Sequence, residues 1–277
     1  MQPIQAYRDF FANYIVRSIG STSEPLIAAF AAVPREHFVG SGPWPVCVSP
    51  GYIPTISDDP RLLYQDILIG LATDRGINNG QPTLHARSLD ACAPATGESV
   101  LHVGAGTGYY TAILAALVGP SGHVVAYEIE PDLAARAKTN LEAYANVSVV
   151  SASASDATLP KSDVIYVNAG ATHPPAAWLG ALNPGGRLLF PLTPNEGLGC
   201  MLLVTQKAEA TYAASVVSRV AFIPCIGARD PEASKALAAA LESQSLEAVK
   251  SLRLASPPDH TVWCSGKGWW LSTAEVA

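Results

Sequence analysis

Two rhythms of apolar and polar residues divide the chain. In the first stretch, apolar positions recur every three or four residues over 5–19 and 24–33, so both segments read as amphipathic helices. Ser23 is placed to cap the second helix and Pro34 to stop it. Residues 41–60 are rich in proline, show no period and read as loop, and a further helix is expected over 83–92. From Ser99 the pattern changes to short continuous apolar runs, SVLHVG (99–104), HVVAYE (123–128), NVSVVSA (146–152), DVIYVNAG (163–170) and GRLLFPL (186–192). Helical segments over 107–119 and 131–144 alternate with them, the latter opening at Pro131. Apolar strands alternating with helices predict an α/β fold in which helices cover both faces of a parallel sheet. The runs 200–207 and 213–224 lie only a few residues apart and predict a hairpin. The expected sheet is therefore mostly parallel, seven-stranded, and ends in an antiparallel hairpin. Beyond it, an Ala-rich helix is expected from Asp230 to about Val249, then two β-prone runs around Gly266-Lys267-Gly268. Trp263, Trp269 and Trp270 are expected to pack that last hairpin onto the body. The expected organisation is 1–95 (helices and loops), 96–227 (α/β core) and 228–277 (a helix-and-hairpin extension).

Composition narrows the functional classes. With 277 residues, 49% of them hydrophobic and 14% charged, the chain can bury a sizeable core, which excludes a disordered protein. Its 17 basic against 23 acidic residues give a net charge of −6 without any basic run, so no nucleic-acid partner is expected. The longest apolar stretch, 109–118, is about half of what spans a bilayer, and the N-terminal residues lack the basic-then-apolar order of a signal peptide. No membrane association and a cytoplasmic location follow as expectations. Five cysteines are scattered with no CxxC pair, which predicts buried free thiols and no metal site.

The sharpest local signal is the strand-to-helix turn Val103-Gly104-Ala105-Gly106-Thr107-Gly108-Tyr109. Glycines there let the backbone turn tightly and approach a ligand closely. A dinucleotide loop needs GxGxxG, with its third glycine packing helix on strand around a pyrophosphate. Residue 109 is Tyr, so that spacing fails, and the form Gly104-x-Gly106-x-Gly108 suits a ligand without phosphates, S-adenosylmethionine. Glu128 ends the next strand, twenty residues after Gly108, where a carboxylate accepts hydrogen bonds from ribose hydroxyls.

Beyond this loop the chain resembles the protein-L-isoaspartate O-methyltransferase family, as a divergent member. AFAAVPREHFV (29–39), LYQDILIGL (63–71), LNPGGRLLFPL (182–192) and VAFIPCIG (220–227) carry the resemblance, which spans roughly residues 24–227. A parallel sheet closed by an antiparallel hairpin is also the layout of Rossmann-like methyltransferases. Three positions depart from the family pattern. The family's Thr-Ile-Ser-x-Pro-x-x-His segment, whose serine lies beside the transferred methyl, reads here Asn78-Asn79-Gly80-Gln81-Pro82-Thr83-Leu84-His85. The acid of the first core strand is His102, and the adenine-holding Gly-Asp-Gly is Ala152-Ser153-Ala154.

The resemblance implies an S-adenosylmethionine-dependent O-methyltransferase that esterifies a carboxylate of a peptide, protein or small molecule. It places Gly80, His85, the run Gly104, Ala105, Gly106, Thr107, Gly108 and Tyr109, then Glu128, Ile129, Ser153, Ala154 and Asn168 along the cofactor. Asn79, Gln81 and Thr83 are the candidate catalytic residues, as neutral donors that orient the acceptor. An ionised carboxylate needs no base, whereas an alcohol or amine commonly does. Asp66 and His85 are the candidate bases for that alternative, a hydroxyl or N-methyltransferase; a non-catalytic cofactor-binding protein is the third reading. Since Gly80 lacks the family hydroxyl, isoaspartyl peptides are expected to be poor acceptors, and Gly80→Ser is expected to improve them. Oligomeric state leaves no trace in the sequence.

Overall fold

The computed structural model describes residues 2–48, 51–155 and 157–276. It forms two compact units, each assembled from two stretches of chain: Met1–Glu98 with Ala105–Ala152, and Ser99–Gly104 with Ser153–Ala277.

In the first unit, α1 (Ile4–Ser18) packs on α2 (Glu24–Ala32), with the Phe11 and Phe30 rings edge to face at 6.4 Å. Ser23 caps α2 by accepting from the Leu26 amide, and the chain leaves the helix at Val33, ahead of Pro34. The proline-rich stretch expected as loop instead contains an antiparallel pair, β1 (Pro45–Val48) and β2 (Gly51–Pro54), with Pro45 opposite Pro54. Prolines at the strand ends remove few ladder donors, so the pair tolerates them. A second short pair, β3 (Gly70–Ala72) with β4 (Ile77–Asn78), leads into α3 (Pro82–Cys92). Strand β5 (Ser99–Val103) belongs to the other unit. The glycine turn then opens α4 (Tyr109–Val118), which is apolar and buried on nearly every side and ends at Gly119. Parallel strands β6 (His123–Glu128) and β7 (Val147–Ser151) flank α5 (Pro131–Asn140).

In the second unit β5, β8 (Ser162–Val167) and β9 (Leu182–Leu192) run parallel, with α6 (Ala176–Ala181) between the last two in sequence. The expected hairpin follows as β10 (Gly199–Ala208) and β11 (Thr211–Val220), antiparallel to each other, with β10 antiparallel to β9. All seven strands read from the sequence are thus present, and the tail adds three more. Its helix α7 (Pro231–Ser243) is capped by Asp230 and stops six residues before the expected Val249. Polar Gln244 is already extended, and β12 (Ser251–Leu254), β13 (Val262–Gly266) and β14 (Trp269–Ser272) continue the sheet from β11 in the order β12-β14-β13. The three tail tryptophans are buried; Trp263 donates to the Ser245 carbonyl at 2.9 Å and Trp270 to that of Ser256 at 3.1 Å. All five cysteines are free thiols, and only Cys47 is partly exposed.

Candidate active site

The glycine turn is built from residues that only glycine can supply. Gly108 caps α4 at φ +97°, and a Cβ there would come within 2.7 Å of the Leu141 side chain. Gly104 and Gly106 are also left-handed. The Gly106 amide donates to Glu128 Oε2 at 2.6 Å and the Glu130 amide to Oε1 at 3.0 Å, so the carboxylate sits fixed at the end of β6. Glu128 is 5% exposed, and burial raises its carboxyl above the ordinary carboxylate range despite these donors. Ile129 beside it presents a half-open apolar surface, and Ala105 is buried. Thr107 is committed to the fold: its hydroxyl donates to the Phe38 carbonyl at 2.6 Å, and its own carbonyl accepts from Asn140 at 2.9 Å. Tyr109 packs edge-on against Phe38 and Tyr110, with its hydroxyl buried.

The loop over residues 77–86 and the segment before it are organised by two charged groups. Arg35, wholly buried, donates to the carbonyls of Leu63 (2.6 Å), Gln65 (2.9 Å) and Ile67 (2.6 Å) and reaches Asn79 Oδ1 at 3.4 Å. Asn79 also accepts from the Ile69 amide at 2.8 Å, so its oxygen is spent on the scaffold. Asp66 is the second centre. It accepts from Gln81 Nε2 (2.8 Å), the Thr83 amide (2.8 Å) and the Thr83 hydroxyl (2.6 Å). Gln81 and Thr83 are therefore brought together as expected, but around a carboxylate supplied by the preceding segment. His85 is 2% exposed in the first turn of α3 and stacks on Tyr110 with centroids 3.6 Å apart. Gly80 stands against this ring at φ +72°, where a Cβ would overlap His85 Nε2. The motif residue Arg35 went unassigned in the sequence. Its signal was the Val-Pro-Arg-Glu run, and its burial follows from carbonyl partners 28 to 32 residues away.

In the second unit, Asn168 follows β8; its amide donates to the Val103 carbonyl at 2.8 Å, and its side-chain Nδ2 lies 2.8 Å from His102 Nε2. Ser153 bonds to Ser155 through their hydroxyls at 2.8 Å, and the buried Ala154 offers its carbonyl to Trp178 Nε1 at 2.8 Å. Among the described residues no group of His, Cys, Asp or Glu side chains could hold a metal, and no helix is long and apolar enough to cross a membrane.

The sequence profile of the protein-L-isoaspartate(D-aspartate) O-methyltransferase family matches residues 13–230. A protein-L-isoaspartate O-methyltransferase of Ignicoccus hospitalis is 34% identical over 223 residues, covering 79% of this chain and 96% of the relative. Another from Aeropyrum pernix is 33% identical and covers 74% of each chain. A solved protein-L-isoaspartate O-methyltransferase superposes with a TM-score of 0.66 at 26% identity, over 78% of this chain and 65% of that one, just under two thirds of its length. A Plasmodium falciparum structure, solved with S-adenosyl-L-homocysteine, shares the fold at a TM-score of 0.64 and 17% identity, over 79% of this chain and 98% of that one. With its glycine turn, fixed Glu128 and 13–230 match, the chain belongs to the protein-L-isoaspartate(D-aspartate) O-methyltransferase family and is an S-adenosylmethionine-dependent O-methyltransferase.

Proposed function

We propose, against the expectation that the missing hydroxyl at Gly80 makes them poor acceptors, that this chain esterifies the free carboxylate of isoaspartyl residues in peptides and proteins, the acceptor that the names of its relatives carry. The residues present fit S-adenosylmethionine. The left-handed glycines leave backbone open to a ligand, and Glu128 keeps lone pairs for ribose hydroxyls. When bound, the sulfonium supplies a methyl group already activated for displacement. What the chain adds is alignment, a contribution worth up to about 7–11 kcal/mol. Asp66 fixes Gln81 and Thr83, and these two orient the acceptor; Asn79 ties the same loop to Arg35. The observation that carries the acceptor class is the loop itself: residues 77–86 hold polar groups but no lysine or arginine to quench a carboxylate nucleophile.

An isoaspartyl peptide and its aspartyl twin test this reading, with methyl transfer followed between about pH 5.5 and 9. The expected product is a base-labile ester on the isoaspartyl peptide alone, formed at a rate that varies little with pH. A rate rising about tenfold per pH unit through neutrality, with chemistry limiting, would transfer the reading to an alcohol or amine acceptor with Asp66 or His85 as base. Tight binding of S-adenosylhomocysteine with no ester on any carboxylate would leave a binding protein.

A further inference from the structure

The carboxyl ends of β5 and β8 carry an arrangement that acceptor chemistry does not use. His102 on β5 is fully buried and lies opposite Tyr166 of β8 in the parallel register. Burial pushes its imidazole down to about 3, so the ring is neutral. An amide –NH2 only donates, so Nε2 of His102 accepts from Asn168 Nδ2 at 2.8 Å, and the ring carries its proton on Nδ1. The Asn168 backbone is fixed as well, through its amide on the Val103 carbonyl. With its nitrogen claimed, the side chain is left with Oδ1 as its other end, and that oxygen is buried without any hydrogen-bond partner.

Buried polar atoms nearly always have partners, and an orphan acceptor marks a missing donor. This one lies where open α/β sheets bind ligands, beyond the carboxyl ends of parallel strands. A Cβ on Gly104 would touch the Asn168 carbonyl group at 3.4 Å, so no side chain intervenes between Gly104 and this residue. Of the polar groups on the methionine part of the cofactor, the carboxylate needs donors, whereas the end of the Asn168 amide without any partner is its acceptor Oδ1; Nδ2 already spends one of its two N–H groups on His102. The ammonium has only N–H groups to place. No acidic residue occurs in 100–107 or 164–171, so at these strand ends the acceptors on offer to the ammonium are neutral oxygens.

We propose that Asn168 Oδ1 receives the methionyl ammonium of the bound cofactor, and that His102 is a positioning residue that turns the amide oxygen toward it. The inference rests on S-adenosylmethionine being the cofactor. The test is calorimetric binding of S-adenosylhomocysteine and of two analogues, one lacking the amino group and one lacking the carboxyl group. In the wild type, loss of the amino group should weaken binding about tenfold or more, as for a hydrogen bond to a charged group. In Asn168→Ala that penalty should shrink to about threefold or less, with the carboxyl penalty unchanged. His102→Phe should reduce the amino penalty in the same direction, and Asn168→Ala carries the test alone if the Phe variant does not fold. An amino penalty equal in wild type and Asn168→Ala overturns the proposal. So does collapse of the carboxyl penalty instead, because the amide would then present its nitrogen. A wild-type protein that binds no S-adenosylhomocysteine refutes the cofactor reading itself, a separate failure.

Discussion

Gly80 stands at the family's serine position in a left-handed conformation, with His85 filling the space beside it. The imidazole is buried, stacks on Tyr110, and has its Nε2 where a Cβ on residue 80 would project. The Tyr110 hydroxyl also faces the Gly80 carbonyl at 3.5 Å, so ring, backbone and helix form one packed group. Gly80→Ser, expected from the family resemblance to improve isoaspartyl turnover, therefore meets a collision and a left-handed backbone together. Each costs about 1–3 kcal/mol. The variant should unfold at lower urea, losing about 2 kcal/mol or more, and methylate less than the wild type; removing the ring as well, in Gly80→Ser/His85→Ala, should make the added cost of the serine smaller than it is beside the intact ring, leaving the backbone strain. Equal urea midpoints for wild type and Gly80→Ser would show that His85 moves aside freely.

At the scale of elements, Arg35 holds together pieces that have little structure of their own. The segment from Leu63 to Ile67 is a short turn and irregular backbone, and three of its carbonyls are satisfied by one guanidinium. Asp66 within it then anchors Gln81 and Thr83, so a buried cation sets the loop around Pro82 through a chain of hydrogen bonds. Arg35→Met keeps the volume but leaves those carbonyls without donors, at a cost of about 3 kcal/mol or more. Urea unfolding should show that loss, and kcat/KM for the peptide should fall while S-adenosylhomocysteine affinity in the surviving folded fraction changes little. A different device ties β3 and β4: Arg75, between them, pairs with Glu130 and with Asp132, the latter at 2.7 Å, at the start of α5. These pairs are partly exposed, so their contribution is small and salt-sensitive.

For the molecule as a whole, the sheet shows what the sequence could reveal. The strands over 99–104, 123–128 and 163–170 were legible because strands buried on both faces are continuous apolar runs. The glycine turn and Glu128 were legible because their spacing is local. By contrast, β3, β4 and β12 are two to four residues long, too short for any period; β3 and β4 pair only with each other across a tight turn, and β12 depends on pairing with β11 and β14. The same holds for the site: Arg35 meets Leu63 across 28 residues and His102 meets Asn168 across 66, distances at which side-chain partnership leaves no mark in a single sequence. The tail strands also cover an edge. Removing residues 251–277 should expose the backbone of β11, beside Tyr212 and Ala213, to pairing with other copies. Light scattering should rise steeply for that truncation; a truncated protein that stays monodisperse would show that the β11 edge protects itself.

The interleaving of the two units limits how the protein can be taken apart. Because 99–104 belongs with 153–277 while 105–152 returns to the N-terminal unit, no single cut releases either unit as a continuous fragment. Val100 must find Val164 across the whole intervening stretch before β5 and β8 join, which makes the pairing a slow, long-range closure. Dissection of this enzyme thus calls for circular permutation or for two fragments that reassociate, and limited proteolysis within 105–152 should yield pieces that stay together under native conditions.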